Sequence, residues 1–249
     1  MRREDIEPDV EIIPPKEKWY QRKGCMVFFV IMLLLLAGAG LFGWQVYKYY
    51  SAIKSGNYTP EMQAMLDSVV GSDESAVTVT KDDDPAQGNP DAKIVVIAFE
   101  DFQCPICGEA YPILKQVLPD YSDKVLFVYR DFPTGHEFSQ SAAEAANCAN
   151  EQGQFWAYHD LLFSDQAAIT GSEIFSQYAD QLGLDVDAFD ECYMSGRYAA
   201  EVNKDFLDGN IAGVSGTPTF FINGYMLQGS YPVEFWRQSF DYLIEELYK

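Results

Sequence analysis

Two cysteines three positions apart carry the clearest chemistry in the sequence, within Phe102-Gln103-Cys104-Pro105-Ile106-Cys107-Gly108. A pair at this spacing can close a disulfide within one helical turn, bind half of a metal site, or exchange electrons with other thiols. Zinc would need two further ligands. The chain offers only two histidines, His136 and His159, and its other paired candidates, Cys148 and Cys192, lie 44 positions apart, so no metal is expected. A purely structural bridge between Cys104 and Cys107 would close almost no loop and add little through chain entropy. Redox exchange is the chemistry that fits.

The flanking residues must position the pair. Ile94-Val95-Val96-Ile97-Ala98-Phe99 is short, apolar and rich in β-branched residues, which predicts a buried strand. Glu109 to Leu118 has the apolar spacing of a helix. Pro105 suits the first helical position, where its missing N–H costs nothing, and this makes Cys104 the N-cap. The unpaired N–H groups and positive dipole end of the helix then face the Cys104 sulfur and favour its thiolate. Cys107 falls on the same helical face.

Upstream, Met1 to Lys23 holds six basic residues, six acidic residues and three prolines, and reads as a disordered tail. Cys25 to Trp44 is uncharged, and its twenty residues match the length of a membrane-crossing helix. Lys16, Lys18, Arg22 and Lys23 crowd its N-terminal side, which places the tail (1–24) in the cytoplasm, an anchor over 25–47, and the remainder outside. Ala37-Gly38-Ala39 also fits a cleaved signal peptide. The long leader and the aromatic run Trp44, Tyr47, Tyr49 and Tyr50 favour an uncleaved anchor. Cys25 is given no role. Residues 48–90 are expected to be an extracytoplasmic spacer, with one short amphipathic helix from Met62 to Val70 and acidic runs at Asp73-Glu74 and Asp82 to Asp84.

From Ser51 onward there are 32 acidic and 10 basic residues, a net charge of about −22. Nucleic acid and anionic membrane surfaces would be repelled by such a domain. No nucleophile elbow, P-loop or dinucleotide fingerprint occurs, so no cofactor is implied.

The remaining chain, 91–249, reads as one α/β domain. Lys124 to Tyr129 is a second buried strand, which with the first and the intervening helix forms a parallel, right-handed unit. Helical segments follow over Ser141–Gln152, Gln154–Phe163, Ser172–Leu182 and two within Val186–Asp208. Thr219–Ile222 and Met226–Gln228 then make a hairpin across Asn223-Gly224, and Val233–Leu247 is a last helix. The expected order is β-α-β, a helical insertion, then β-β-α.

These stretches resemble the DsbA-like thiol–disulfide oxidoreductases of the thioredoxin-fold superfamily, in the branch whose members are often membrane-tethered. The likeness lies in Phe99-Glu100-Asp101-Phe102-Gln103-Cys104-Pro105-Ile106-Cys107, Tyr129-Arg130-Asp131-Phe132-Pro133, Ala146-Asn147-Cys148-Ala149, the block Gln152 to Phe163, and Gly213-Val214-Ser215-Gly216-Thr217-Pro218-Thr219 through Gly224. It implies a thioredoxin fold with a helical insertion, preceded here by one transmembrane helix. It further implies a cis Pro218 facing the dithiol, and a Thr217 that contacts both cysteines and bound substrate. Pro105 and Ile106 complete the active-site neighbourhood.

Relatives also carry cysteines where Cys148 and Cys192 stand. A structural bridge outside the cytoplasm is the leading reading; a relay disulfide or free thiols are the alternatives. Two departures from the family pattern are visible. The dipeptide between the cysteines lacks histidine, and Ala98 replaces the buried acid that many thioredoxin-fold enzymes carry six residues before the first cysteine. Glu100 and Asp101 are nearer, and one could serve for proton transfer, but they are read first as exposed charges at a strand end. His159 reads as a packing histidine; Phe155, Trp156 and Phe163 read as core.

The resulting expectation is a membrane-anchored, extracytoplasmic, monomeric oxidoreductase that oxidises exported proteins through Cys104 and Cys107. The resemblance implies a quinone-linked membrane partner for its reoxidation. The alternatives are a reductase or isomerase and, from another class, a peptide-binding chaperone module.

Overall fold

The structure is a computed structural model and describes residues 23–54, 64 and 84–249. The tail up to residue 22, most of the candidate helix at Met62–Val70 and the acidic runs through Asp83 lie outside the described residues, as does the side chain of Cys25. The described residues fall into two units, divided after Ser55.

In the first unit, α1 (Lys23–Lys54) is a 32-residue helix that covers the uncharged stretch. Its side chains are described without interruption only over 30–44, and among the described residues no helix is long and apolar enough to cross a membrane. The anchor therefore remains an inference from the sequence.

The second unit is built on a five-stranded mixed sheet. In chain order its elements are β1 (Ala86–Gly88), β2 (Ile94–Glu100), α2 (Pro105–Val117), β3 (Val125–Asp131), α3 (Ser139–Glu151), α4 (Phe155–Ser164), α5 (Glu173–Gln181), α6 (Val186–Met194), α7 (Ala199–Ile211), β4 (Thr219–Ile222), β5 (Tyr225–Gln228) and α8 (Val233–Leu247). The strand order is β1-β3-β2-β4-β5. β2 and β3 pair in parallel, as the strand–helix–strand reading required, and the other three pairings are antiparallel. β1 lies where the sequence placed spacer. Its three residues, Ala-Gln-Gly, are all exposed and carry no apolar alternation, so no periodicity announces it.

The two-residue side-chain period of the strands makes both faces of the sheet apolar. Val96, Ala98, Phe127, Phe220 and Ile222 lie in one core with Leu114 and Val117 of α2 and Trp236, Phe240 and Leu243 of α8. Ile97, Phe99, Leu126, Val128 and Phe221 form the other with Phe132, Ala212 and Val214. The inserted helices α3 to α6 enclose a third core, which reaches Phe102, Tyr129, Cys104 and Cys107. The hairpin turns at Asn223 and Gly224, both at positive φ (47° and 86°), and the Asn223 side chain accepts from Val95 N–H and donates to Lys93 C=O.

Candidate active site

The dithiol sits where β2 gives way to α2, as the sequence required. Cys104 is the N-cap, with φ −73° and ψ 122°, and Pro105 opens the helix. The first helical bond runs from Gly108 N–H to Cys104 C=O at 3.1 Å. Both cysteines are free thiols. Their surroundings differ sharply: Pro105 and Ile106 are exposed at the helix tip, Cys104 is 7% exposed, and Cys107 is sealed.

This difference polarises the pair. A hydrogen bond from the Cys107 thiol is the largest influence on Cys104. Burial opposes it, while Thr217 and the N–H groups of Cys107 and Ile106 add to it, and the thiol is lowered to about 5. The Thr217 hydroxyl meets no partner at good hydrogen-bonding geometry, so its help is that of a nearby dipole. Cys107 moves the other way: burial, the bond it gives to Cys104 and the nearby Glu100 carboxylate hold its thiol far above the ordinary range. The two cysteines are thus a thiolate and a protonated thiol at neutral pH. Ultraviolet thiolate absorbance of the reduced Cys104–Cys107 pair, taken as the difference from a Cys104→Ala variant, is expected to rise by one thiolate with a midpoint near pH 5, and Cys107 is expected to add no step below strongly alkaline pH. A single midpoint near 8 or above would contradict this polarity.

The loop across from the dithiol comes from the far end of the domain. The Thr217–Pro218 peptide is cis. Thr217 C=O lies 3.3 Å from Cys104 Sγ and can accept from it only while that sulfur is protonated, and Pro218 C=O accepts from Gly229 N–H at 2.8 Å. Thr217 and Pro218 are buried. Cys148 and Cys192 are bonded to each other, joining α3 to α6 within the inserted helices. Both are 1% exposed, and no thiol partner could reach them without local opening.

Three further groups matter at the site, two of them named from the sequence but misplaced there. Glu100 and Asp101 are buried, at 3% and 2% exposure, and are not charges on an open strand end. The sequence could not show this, because the inserted helices that cover them are remote in the chain. Asp101 is a clasp: its carboxylate accepts from Gln103 N–H, from Thr134 N–H and hydroxyl, and from Ser139 hydroxyl, at 2.6 to 2.9 Å. These bonds tie the end of β2 to the segment after β3. Glu100 is different. Its Oε1 has no partner, and burial, reinforced by the Cys104 charge, raises its carboxyl to about 8. It shares the face of β2 with Val96 and Ala98, the face that α2 covers, and its field acts on Cys107. It stands four residues before Cys104, where the family pattern did not direct attention.

The third group is Gln166. Its Nε2 donates to Phe102 C=O (2.9 Å) and Cys104 C=O (3.0 Å), two carbonyls of the active-site turn. It reaches them across Gly108, where a Cβ would fall 2.3 Å from Gln166 Oε1. A side chain at Gly108 would displace that support. Near by, Gln103 accepts from Phe138 N–H and donates to Ile169 C=O, so the turn is held from both sides. Trp156, expected in the core, is only partly buried and bridges two cores; Phe155 and Phe163 are buried as expected.

Among the described residues, one cluster has metal-ligand spacing, Asp84, Glu201 and Asp205. Arg130 already occupies its neighbourhood, paired with Asp84 at 3.0 Å, with Asp205, and with Asp208 at 2.9 Å. The guanidinium does there what a cation would do.

A family profile described as Thioredoxin matches residues 80–241, well over half of the chain. The chain belongs to the thioredoxin family. Solved structures share the fold: a thioredoxin-like oxidoreductase from Silicibacter pomeroyi DSS-3 is 24% identical, with a TM-score of 0.57, and the match covers 72% of this chain and 97% of that one. Wolbachia pipientis alpha-DsbA1 is 21% identical with a TM-score of 0.60, over 68% of this chain and 95% of that one. The DsbA-like resemblance read from the sequence thus extends to the fold, inserted helices included. A curated relative from Salinispora tropica, named Na(+)/H(+) antiporter NhaA 3, is 36% identical over 205 residues, 82% of this chain but 31% of its own length. The chain spans about a third of the length of such relatives, and the antiporter name is not carried over to it.

Proposed function

We propose that the protein is an extracytoplasmic thiol–disulfide oxidoreductase that oxidises cysteines of exported proteins through Cys104 and Cys107. The observation that carries this reading is the polarised pair: a thiolate at the helix tip beside a cis-proline loop, and a buried thiol behind it. A stabilised thiolate favours the reduced dithiol, and that makes the disulfide form a better oxidant.

In the oxidised protein, a substrate thiolate attacks Cys104 Sγ. The Cys104–Cys107 bond breaks, its electron pair goes to Cys107 Sγ, and that sulfur takes the proton that a neutral Glu100 carboxyl can supply. A second substrate thiol, deprotonated, then attacks the substrate sulfur of the mixed disulfide. Cys104 leaves as the stabilised thiolate. The substrate dithiol has become a disulfide, and the enzyme disulfide has become the reduced pair. Thr217, Pro218 and exposed Ile106 border the sulfur, where an extended substrate segment would lie. Reoxidation calls for a quinone-linked membrane partner, a role suggested by the family resemblance.

The uncharged Cys25–Trp44 stretch, helical within α1, supports an N-terminal anchor with the tail inside and the catalytic domain outside. The Cys148–Cys192 bridge agrees with an oxidising compartment. A monomer is proposed, since the stretch Ser51 to Pro90 is too short and irregular for a dimerisation domain.

The reduction potential of the full chain, equilibrated against glutathione buffers, tests the direction. About −180 to −120 mV is expected, the range of disulfide-donating members of the superfamily. A value near −270 mV, that of thioredoxin, would overturn the oxidase reading in favour of a reductase.

A further inference from the structure

Behind the active-site helix lies a cavity of about 200 Å³, walled by α2, α4, the edge strand β1 and the turn after α2. Most of its lining is apolar, from Leu114, Leu118, Phe127 and Trp156. Glu100 and His159 also line it, and both are more than nine-tenths buried. Each holds one polar atom without a hydrogen-bond partner, Glu100 Oε1 and His159 Nε2. Buried polar atoms left in that state cost free energy unless water reaches them, and a cavity of this size has room for several waters. The outer wall is polar: His159 Nδ1 lies 3.2 Å from Asp160 Oδ1, and Asp160 is ion-paired with Lys115.

The two faces of Glu100 explain why such a cavity matters. On the inner side are Cys104, Cys107 and the phenol of Tyr129, all affected by its charge or affecting it. The cavity is on the outer side. Cys107 is sealed, so a proton that it gains or loses has no direct way to bulk water. The substrate-facing side offers none either during exchange, because the mixed disulfide at Cys104 and the Thr217–Pro218 loop cover it.

We propose that this cavity is the proton port of the dithiol: protons pass between Cys107 and Glu100, and between Glu100 and solvent through cavity water held by His159 and its Asp160 partner. The inference rests on the exchange reading above and adds to it a route and a positioning residue. When Cys107 leaves the disulfide, it takes the Glu100 proton, and the port returns one from solvent. In the reverse direction the Cys107 thiol gives its proton to the Glu100 carboxylate, attacks the mixed disulfide, and the port drains the proton. Asp160 holds the imidazole; in the tautomer with Nδ1–H toward Asp160, Nε2 is a free acceptor for water. Burial keeps the ring neutral by lowering its pKa. Protons thus enter from the β1 and α4 side, and the substrate from the α2 tip.

A route changes rates and leaves end states alone. Two variants of the full chain address it: Gln87→Trp, at an exposed position on the cavity rim, plugs the opening, and His159→Phe keeps a ring in the aromatic cluster but removes the water acceptor. Rapid-mixing measurement of exchange with a dithiol peptide is expected to show both slowed about tenfold at neutral pH, a partial loss of a general acid–base contribution. The equilibrium constant for exchange is expected to stay within about twofold of the parent's, since the thiols keep their surroundings. Unchanged rates in both variants would overturn the port, and so would slowing that is matched by an equal shift in the equilibrium constant, the mark of a merely structural role. A parent chain that exchanges no disulfides at all would instead remove the functional reading, and the port with it.

Discussion

Cys104→Ala is expected to abolish disulfide exchange, lowering its rate by about a thousandfold or more, because no other sulfur in the domain is both reachable and ionised. Cys107 is sealed and protonated, and Cys148 and Cys192 are bonded and buried. Cys107→Ala is expected to fail differently. It keeps the Cys104 sulfur at the helix tip, so mixed disulfides still form, but nothing remains to resolve them. Covalent complexes with partner proteins should accumulate on non-reducing gels and disappear on reduction. The same variant loses the hydrogen bond that most lowers the Cys104 thiol, so its remaining thiol is expected to titrate above the parent value of about 5. Turnover by Cys104→Ala, or an absence of trapped species with Cys107→Ala, would contradict the mixed-disulfide mechanism.

The second large effect is on stability. Arg130 is 1% exposed and faces the side of the sheet opposite the dithiol, where its guanidinium lies 5.5 Å from the Phe99 ring. It holds Asp84, Asp205 and Asp208 together, joining the start of the domain, β3 and α7. Asp205 also accepts from Asp131 N–H at 3.1 Å. Arg130→Met preserves much of the volume but leaves buried carboxylates without their cation. Breaking one side of such a cluster costs about 3–5 kcal/mol, a large part of a domain's total stability.

The pH dependence supplies a sharper check. Asp205 is raised by burial even with Arg130 present, and Asp131 is raised to about 8 by burial and by the Asp205 charge. An acid whose folded-state pKa is raised binds more protons folded than unfolded, so it favours folding at low pH and loses that contribution as pH rises through the folded value. Without Arg130 these carboxylates shift further up. The deficit of Arg130→Met, read from denaturant midpoints of the oxidised protein, should therefore be smaller near pH 5 than near pH 8. A deficit independent of pH would mean that lost packing, and not uncompensated charge, is the cause.

Much of this is legible in the sequence. The strand–turn–helix around Cys104 announces itself through β-branched residues, a proline at the first helical position and a three-residue cysteine spacing, all local signals. The hairpin at Asn223-Gly224 and the bounds of α8, Val233–Leu247, are equally local. β1 was not, since Ala86–Gly88 is a strand only because β3 offers an edge for antiparallel pairing. Glu100 and Asp101 show the same limit more consequentially. They are adjacent carboxylates at the end of one strand, yet one accepts four hydrogen bonds and the other has an oxygen with none.

Sequence by itself therefore pointed to the reaction class: which two cysteines share one helical turn, which lies at the helix tip, and which loop residues, Thr217 and Pro218, belong beside them by family pattern. Tertiary structure alone decided what surrounds them. The inserted helices are far from β2 in the chain, and burial is the sum of contacts from distant segments. Only the folded arrangement could turn Glu100 from a surface charge into a near-neutral acid, and seat His159 across a shared cavity from it. Covalent spacing sets which groups can react, whereas the dielectric and the solvent access that tune their protons are properties of the assembled fold.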